Sequence, residues 1–328
     1  MNTIKFGKST FVIAEAGINH NGSLDIAKKM IKKAAETGAN AIKFQTIIPD
    51  ELFSESENSK LYKMSKDWIL SKSAHIELQK YASKNKIIFF STPFGKKSAK
   101  LLQEIKVPLI KIASGEITNH DLISYVAKMN KPIILSTGMS NISEIASAVE
   151  IIRNHKCYFV ILHCISSYPT KISDANLSTI PFLKNLFNVP IGFSDHTLGT
   201  EASLAAVSLG ANVIEKHFTL DKKMDGPDQK LSLDPLEFFN LTKKIRQIEK
   251  SIGTPRLDLL KTEKPFQKNM RKSISTLIDI PKGTIIKNSM LTFVRPARGI
   301  SPILINEIIG RKTKNLIKKG TIIEWNNF

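Results

Sequence analysis

The sequence contains very little cysteine and no long hydrophobic run. Two cysteines occur among 328 residues, Cys157 and Cys164, and both lie in one apolar run. Side chains at that odd spacing point to opposite faces of a strand, so we expect no disulfide and a reducing, cytoplasmic location. No apolar stretch approaches the roughly 20 residues that a membrane helix needs. Residues 1–11 also lack the apolar segment of a secretory signal, so the sequence predicts neither a membrane span nor export.

Acidic residues are scarce relative to basic ones. The chain has 29 Asp and Glu against 48 Lys and Arg, which gives a formal net charge of +19. Such an excess can indicate nucleic-acid binding, but no recognition motif and no interleaving of aromatic with basic residues accompanies it. The lysines are scattered over predicted helix faces, as at Lys28 and Lys32. We therefore interpret the charge as a solvated surface that at most attracts a small anionic substrate, and we expect no nucleic-acid partner.

Short apolar runs alternate regularly with amphipathic helical stretches. Eight such runs occur, at residues 11–16, 41–45, 87–91, 109–113, 132–135, 158–164, 190–193 and 212–216. Continuous apolar runs are typical of strands buried on both faces, and eight strand–helix units in about 250 residues are typical of a (β/α)₈ TIM barrel. A doubly wound α/β sheet is the alternative. No Gly-x-Gly-x-x-Gly turn follows the first run, which speaks against it.

The sequence changes character after Ile252. Residues 253–271 carry two prolines and several charges, and we predict that they form a linker. In residues 272–328 the tetrapeptide Gly-Thr-Ile-Ile occurs at 283–286 and again at 320–323, each time after a lysine. Short strands with Gly and Pro turns predict a small β-rich domain, which at this size needs something to dock on. We thus predict a barrel domain over residues 1–252, followed by the linker and the small domain.

Polar and charged residues follow or end the predicted strands, where barrel enzymes carry their catalytic groups. Lys43 and Lys111 lie inside apolar runs, and a buried lysine is costly unless an anion pairs with it. Two kinds of partner fit: the phosphate or carboxylate of a ligand, or an internal glutamate such as Glu15 or Glu215. Because serine and threonine end the neighbouring strands, the pattern favours a phosphate site.

Two histidines, His196 and His217, end consecutive predicted strands. Neighbouring strands lie about 4.8 Å apart, so both imidazoles are within reach of one metal ion. Asp228 and Glu15 add carboxylates, and two histidines leave coordination positions open for water and a substrate oxygen. The pattern therefore favours a catalytic metal site. We interpret His163, inside a predicted strand, as a core or supporting residue. We expect His75, His120 and His155 to lie at the surface.

Seven segments in chain order resemble the nonulosonate (sialic-acid-type) synthases, and the resemblance spans the whole chain. They are Ala14–Gly22, Ile42–Thr46, Lys111–Glu116, Leu135–Met139, Phe193–Thr197, Glu215–Phe218 and Gly226–Asp228. The tail, with residues 271–273 and 295–296, is similar to the antifreeze-like (β-clip, SAF) domain of these enzymes. The resemblance implies an N-acetylneuraminate synthase-like transferase. Such an enzyme joins phosphoenolpyruvate to an N-acyl amino sugar and forms phosphate and a nine-carbon 2-keto acid.

The resemblance also implies residue roles, a cofactor and a quaternary structure. The implied metal ligands are His196 and His217, the acid–base candidates Glu15 and Asp228, the phosphoenolpyruvate contacts Lys43, Thr92, Lys111, Ser114, Ser136, Ser166 and Ser194, and the sugar contacts Gln45, Tyr168 and Arg295. The metal is divalent, usually Mn²⁺ in this family, with Mg²⁺ or Co²⁺ as alternatives. An arginine that reaches the N-acyl carbonyl from a partner subunit implies a domain-swapped homodimer.

The sequence departs from the family pattern at three places. Ser166 stands where many relatives have asparagine, and Gln229 replaces a frequent histidine. Residues 297–299 replace a Gly-x-Gly segment, so Arg298 becomes a second candidate for the sugar contact. The resemblance leaves the sugar open between N-acetylmannosamine and a 2,4-diacetamido-trideoxyhexose.

Two other functions compete with this one. A barrel that condenses phosphoenolpyruvate with a phosphorylated sugar would need a second basic cluster, and the sequence offers none that we can assign. A non-catalytic binder of carbohydrate, ice or nucleic acid would need neither the histidine pair nor the polar strand ends.

Overall fold

The computed structural model describes residue 4, residues 6 and 7, and residues 9–328. Residues 1–3, 5 and 8, part of the segment in which we expected no secretory signal, lie outside this range. The chain divides into two compact units between Gly253 and Thr254. The segment 253–271 includes the helix Lys264–Met270, which belongs to the second unit. Among the described residues, no helix combines the length and the apolar character needed to cross a membrane.

The first unit is a closed barrel of eight parallel strands. The strands are β1 (Phe11–Gly17), β2 (Ala41–Thr46), β3 (Ile88–Pro93), β4 (Ile110–Ile112), β5 (Ile133–Ser136), β6 (Phe159–Cys164), β7 (Ile191–Asp195) and β8 (Val213–His217). Each strand pairs with the next one along the chain, and β8 closes on β1 with Glu15 opposite His217. The prediction of a TIM barrel is therefore confirmed.

Helices connect successive strands of this barrel, and a last helix follows β8. They are α1 (Leu24–Glu36), α2 (Pro49–Leu52), α3 (Ser59–Lys66), α4 (Lys72–Lys84), α5 (Lys96–Glu104), α6 (His120–Ala127), α7 (Ile142–Asn154), α8 (Thr179–Phe187), α9 (Glu201–Ser208) and α10 (Pro235–Ile252). The local sequence determines where several of these helices begin, because side chains there accept hydrogen bonds from the free backbone N–H groups of the first turn. Asn141 and Glu144 form a reciprocal capping box at α7, and Asp234 and Glu237 form another at α10.

The inner face of the barrel changes from apolar to polar along the strands. Residues such as Ile13 and Val213 pack together inside the barrel, in a cluster separate from the one between strands and helices. Because strand side chains alternate between faces, the next inward positions are two residues further on. On β1 and β8 those positions are Glu15 and Glu215. The apolar layer thus forms a base beneath a layer of buried charge.

The second unit is small and built around isoleucine. It contains α11 (Lys264–Met270), the antiparallel pair β9 (Ser273–Thr276) and β10 (Leu291–Val294), and α12 (Ile305–Ile308). The repeated tetrapeptide recurs as a repeated structure. Gly283 and Gly320 both adopt a φ near +80°, which glycine tolerates best, and Ile286 and Ile323 both enter the core. This arrangement agrees with the predicted β-rich SAF domain.

Candidate active site

A cavity of about 430 Å³ opens at the carboxyl ends of the barrel strands. Every barrel residue that the sequence predicted as a site residue lines it: Glu15, Lys43, Gln45, Thr92, Lys111, Ser114, Ser136, Ser166, Tyr168, Ser194, His196, His217 and Asp228. These residues come from all eight strands or the loops that follow them. The barrel topology therefore brings together side chains that are up to about 210 positions apart in sequence.

The base of the cavity is a network of buried ion pairs. Lys43 Nζ lies 3.3 Å from Glu15 Oε1 and 3.3 Å from Glu215 Oε2. Lys111 Nζ donates a hydrogen bond to Glu215 Oε1 at 2.7 Å, and Ser194 Oγ donates to the same oxygen at 3.0 Å. The internal-glutamate alternative for the two lysines is thus observed. It does not compete with the ligand alternative, because both lysines also line the cavity.

The two glutamates of this network differ sharply in acidity. Burial raises the pKa of Glu15 to about 7, against the opposing effect of Lys43. Burial acts in the same direction on Glu215, but Lys111 and Lys43 outweigh it and hold the pKa of that carboxyl well below its usual range. Glu215 is therefore a permanent anion that anchors both lysines, whereas Glu15 exchanges a proton near neutral pH. From the sequence, Glu215 was one possible internal partner of the two lysines, and its role as their common anchor was not predicted.

Hydroxyl groups surround the backbone of Gly138, just after β5. The Gly138 N–H donates to Ser114 Oγ at 3.0 Å. A Cβ atom at Gly138 would collide with the hydroxyls of Ser114 and Ser166. The Oγ atoms of Ser136 and Ser166 are buried and have no hydrogen-bond partner. Buried hydroxyls are normally paired, so these two are suited to a polar ligand that fills the cavity.

The two predicted metal ligands lie side by side. The ring centroids of His196 and His217 are 5.3 Å apart, and the Tyr168 ring lies 4.2 Å from that of His196. His196 Nδ1 is 2.8 Å from the Ile165 carbonyl oxygen, which leaves Nε2 as its free ring nitrogen. His217 Nδ1 is buried without a hydrogen bond and lies 3.6 Å from Asp228 Oδ2.

His217 meets a chemical requirement for holding a metal ion. An imidazole must be neutral to coordinate, and burial keeps the pKa of His217 well below its usual value. Imidazole nitrogens are ligands of divalent first-row metals, and His217 has an unpartnered ring nitrogen available. Among the residues that the structure describes, no group of three or more His, Cys, Asp or Glu side chains forms a metal-binding set. The residues present fit a site in which His196 and His217 would hold the metal and water or substrate would supply further ligands.

One prediction about the other histidines is wrong. His75 is fully buried, not at the surface, on the inner face of α4 with Leu78 and Ala82. Its ring nitrogens lie 3.0 Å from Thr46 Oγ1 and 3.0 Å from the Ser71 carbonyl oxygen. The spacing to Leu78 and Ala82 carried the helical period that would have revealed this.

The sequence analysis also missed apolar residues around the cavity. Leu52, Phe53 and Trp68 come from the long insertion between β2 and α4, and Phe94 follows β3. No role was assigned to this insertion from the sequence. Its apolar residues do not follow a helical or strand period, so only the folded structure brings them to the cavity.

The departures from the family pattern fall in distinct places. Gln229 does not line the cavity but is buried beside it, where its Nε2 donates to the Asn19 carbonyl oxygen at 3.1 Å. Arg295 and Arg298 are exposed residues of the second unit, and Arg295 Nε donates to the Met270 carbonyl oxygen at 2.8 Å. A contact of either arginine with the sugar of a partner subunit stays a prediction.

Comparison with known proteins places this site in a family. The model of the NeuB family matches residues 30–256, and that of the SAF domain matches residues 272–328. The chain is 43% identical to the N,N'-diacetyllegionaminic acid synthase of Campylobacter jejuni, over 94% of this chain and 97% of that protein. It is 38% identical to the protein of the same name from Legionella pneumophila, over 96% of this chain and 93% of that protein.

A solved structure agrees with these sequence matches. The N-acetylneuraminic acid synthetase from Leptospira borgpetersenii, crystallised with citrate, superposes with a TM-score of 0.78 at 40% identity. The match covers 81% of this chain and 93% of that one. The chain therefore belongs to the NeuB family, and it is a transferase of the sialic-acid-synthase type with a SAF domain after its barrel.

Proposed function

We propose that the protein condenses phosphoenolpyruvate with an N-acyl amino sugar in a metal-dependent reaction that gives a nine-carbon nonulosonic acid and phosphate. The observation that supports this proposal most is that every barrel residue predicted for the site lines one cavity. The names of the Campylobacter, Legionella and Leptospira relatives support the same class of reaction.

The base of the cavity suits the anionic substrate. Phosphoenolpyruvate carries a phosphate and a carboxylate, and Lys43 and Lys111 would each share their charge with one of these groups. Glu215 keeps both ammonium groups in place before the substrate arrives. The unpartnered hydroxyls of Ser136 and Ser166 would donate to the oxygens of the substrate and so complete their own hydrogen bonding.

The proposed reaction forms one carbon–carbon bond and breaks one carbon–oxygen bond. The C2=C3 electron pair of phosphoenolpyruvate forms a bond from C3 to the aldehyde carbon of the open-chain sugar, and the aldehyde oxygen takes up a proton. Water adds at C2 and gives up a proton. The bond from C2 to the phosphate oxygen then breaks while the new C2 hydroxyl gives its proton to the leaving phosphate, which leaves a 2-keto acid and inorganic phosphate.

Glu15 and Asp228 are placed to move these protons. With a pKa of about 7, Glu15 is present in both protonation states at neutral pH, and its Oε2 has no hydrogen-bond partner. Burial also raises the pKa of Asp228. A group with a pKa near the working pH is the most effective acid or base, so Glu15 fits the role of donor to the aldehyde oxygen or acceptor from water, and Asp228 is the second candidate.

His196 and His217 would hold the divalent metal, for which Mn²⁺ is our first candidate and Mg²⁺ and Co²⁺ are alternatives. When bound there, the metal would supply Lewis-acid polarisation of the aldehyde oxygen. The Tyr168 ring, which packs on His196, would orient that imidazole and form one side of the sugar site together with Gln45.

The observed charges favour a sugar without a phosphate group. Among the residues that the structure describes, the cavity is lined by two lysines and by no arginine, and both lysines are already paired with glutamates. A second phosphate would need cations of its own.

We also propose that Arg295 of the partner subunit binds the acyl carbonyl in a domain-swapped homodimer. Arg295→Ala should raise the KM for the sugar and leave that for phosphoenolpyruvate unchanged.

Phosphate release from phosphoenolpyruvate tests the proposal. The protein loaded with Mn²⁺ is offered N-acetylmannosamine, a 2,4-diacetamido-trideoxyhexose, their phosphorylated forms or no sugar, each with and without a chelator. We expect release only with a free sugar and with metal. Release that needs a phosphorylated sugar would replace the proposal with the competing one, and no release with any sugar from folded, metal-loaded protein would overturn it.

A further inference from the structure

Each of the two histidines in the cavity is preceded by a charged residue on the opposite face of the barrel. His196 follows Asp195, the last residue of β7, and His217 follows Lys216 at the end of β8. Because side chains alternate between the faces of a strand, the histidines point into the cavity and the charged residues point outward. The Lys216 ammonium group lies 3.0 Å from Asp195 Oδ2, and both side chains are at most 1% exposed.

His196 lies just beyond the part of its strand that pairs with β8. That pairing ends with Asp195 opposite Lys216. His217 is still inside β8, which pairs with β1 at this position. Strand pairing therefore fixes the backbone of His217, whereas the backbone of His196 depends on other contacts. One of these is a hydrogen bond from the Thr170 N–H to the His196 carbonyl oxygen at 2.9 Å.

The outward ion pair supplies three further contacts, all of them to Thr197. Asp195 Oδ1 accepts hydrogen bonds from the Thr197 N–H at 2.8 Å and from the Thr197 hydroxyl at 2.7 Å. Lys216 Nζ donates to the Thr197 carbonyl oxygen at 2.5 Å. The residue after His196 is thus held at its N–H and at its C=O by the two residues that precede the histidines.

The pair is also fixed to the helix behind it. Ser203 on α9 donates to Asp195 Oδ2 at 2.5 Å, so both carboxylate oxygens have partners. Well-packed apolar residues of similar volume are often as stable as a buried ion pair, so stability alone does not explain why charges are buried here. Such residues lack directional hydrogen bonds. The ion pair is therefore suited to fixing the geometry of the backbone that it contacts.

We propose that Asp195 and Lys216 are positioning residues for the metal site. Through Thr197 they hold His196 beside His217, so that the two imidazoles stay close enough to share one divalent cation. The ring centroids are now 5.3 Å apart. This inference rests on the proposed function, because it needs the metal role of the two histidines. Residues that orient metal ligands from behind are typically worth about 10- to 100-fold in metal affinity.

Metal binding by the folded protein tests this role separately from stability. The double variant Asp195→Ala/Lys216→Met leaves no buried charge unpaired, so we expect it to fold, which circular dichroism checks. Isothermal titration calorimetry should then show that the Kd for Mn²⁺ has risen by about 10- to 100-fold. Lys96→Met/Asp121→Ala is the matched control, because it removes an exposed ion pair, and it should leave that Kd unchanged.

A conservative variant and a structure sharpen the test. Asp195→Asn/Lys216→Met keeps an oxygen acceptor for the Thr197 N–H but lacks the contact from Lys216, so it should recover only part of the lost affinity. If the alanine variant does not fold, this variant carries the test alone, again with a raised Kd. A crystal structure of the folded double variant without metal gives a readout that needs no cation. It should show a displaced His196 and a changed distance between the two rings.

The outcomes separate this inference from the proposed function. A wild-type Kd for Mn²⁺ in a folded variant that lacks the pair would show that the pair only supports the fold, and it would overturn the inference. The proposed condensation would then still stand. No Mn²⁺ binding by the wild-type protein would instead remove the metal role from the proposed function, and this inference with it.

Discussion

Two buried clusters of charge lie on opposite faces of the same two strands, β7 and β8. On the inner face, Glu215 pairs with Lys43 and Lys111 at the base of the cavity. On the outer face, Asp195 pairs with Lys216 at 3.0 Å, where the strands pack against α9. All of these side chains are at most 5% exposed, so burial alone does not distinguish the two clusters.

Hydrogen bonding does distinguish them. The outer carboxylate of Asp195 accepts from the Thr197 N–H at 2.8 Å, the Thr197 hydroxyl at 2.7 Å and the Ser203 hydroxyl at 2.5 Å, in addition to Lys216. On the inner face, Oε2 of Glu15 has no hydrogen-bond partner, and Oε2 of Glu215 has no hydrogen bond and only the Lys43 ammonium group nearby, at 3.3 Å. A fully satisfied buried pair is a structural element, whereas an incompletely satisfied one retains capacity for a ligand. Replacing residues of each cluster tests this distinction.

Replacing His217, which lines the inner face, should have the greatest consequence. His217→Ala removes one of two proposed metal ligands, so kcat/KM should fall by about 10³-fold or more, equivalent to about 4 kcal/mol of transition-state stabilisation. Isothermal titration calorimetry with Mn²⁺ gives a second readout and should show that binding is lost. His120→Ala is the control, because His120 is exposed on α6. Full activity in His217→Ala would remove the metal role from the proposal.

Breaking the outer pair should affect folding. Asp195→Ala leaves the Lys216 ammonium group buried without its anion, which should lower the free energy of unfolding by about 3 kcal/mol. Urea denaturation followed by circular dichroism measures this. Adding Lys216→Met removes the orphaned charge, so the double variant should recover most of the loss. A loss well below 1 kcal/mol in the single variant would show that hydrogen-bond satisfaction does not identify a structural pair here.

The residues at the rim of the barrel were easier to predict from the sequence than the ion pairs beneath them. Barrel topology follows from eight apolar runs, and topology places the residue at the end of each strand at one rim, so Lys43, Ser136 and His196 could be assigned to one site without coordinates. Which residues inside the runs pair with each other across the barrel depends on how far their side chains reach. For this reason the sequence left the partner of Lys43 and Lys111 open between a glutamate and a ligand.

Residues that reach the cavity from outside the strands were harder to predict. Trp68 and Phe53 belong to an insertion whose path depends on tertiary contacts. Glu51 accepts a hydrogen bond from the Ser98 N–H, and Gly22 packs closely against the Asp67 carbonyl oxygen. His75 was misassigned as a surface residue, and its burial on α4 is possible because Thr46 and Ser71 supply hydrogen-bond partners for both ring nitrogens.

His20 is a buried residue outside both clusters, and one of its ring nitrogens has no hydrogen-bond partner. It should make the stability of the fold depend on pH. Its Nε2 is buried without a partner, and burial, with a smaller effect of His75, lowers its pKa to about 4. The unfolded chain, with a histidine pKa of about 6.5, takes up the proton first. His20 therefore stabilises the fold fully above pH 6.5, and about 2–3 kcal/mol of this is lost as the pH falls towards 4.

The difference between wild type and His20→Gln isolates that contribution. Glu15 acts in the opposite direction, because a raised carboxyl pKa stabilises the fold at low pH and this effect is lost as the pH rises from about 4.5 to about 7. Subtracting the two unfolding curves removes the Glu15 term, which both proteins share. A difference that stays constant from pH 7 to pH 4 would show that His20 titrates normally in the folded protein.

The ion pair between Lys96 and Asp121 should behave differently from both buried clusters. Its Nζ–Oδ2 distance is 2.6 Å, as short as any pair on the inner face, but the side chains are 50% and 76% exposed. Water screens such a pair and hydrates each partner when the other is removed, so Asp121→Asn should change the free energy of unfolding by less than about 1 kcal/mol. The same urea titration measures it beside Asp195→Ala. If the exposed pair cost as much as the buried one, distance would determine the energy of these pairs, and the contrast between the two faces of β7 and β8 would lose its physical basis.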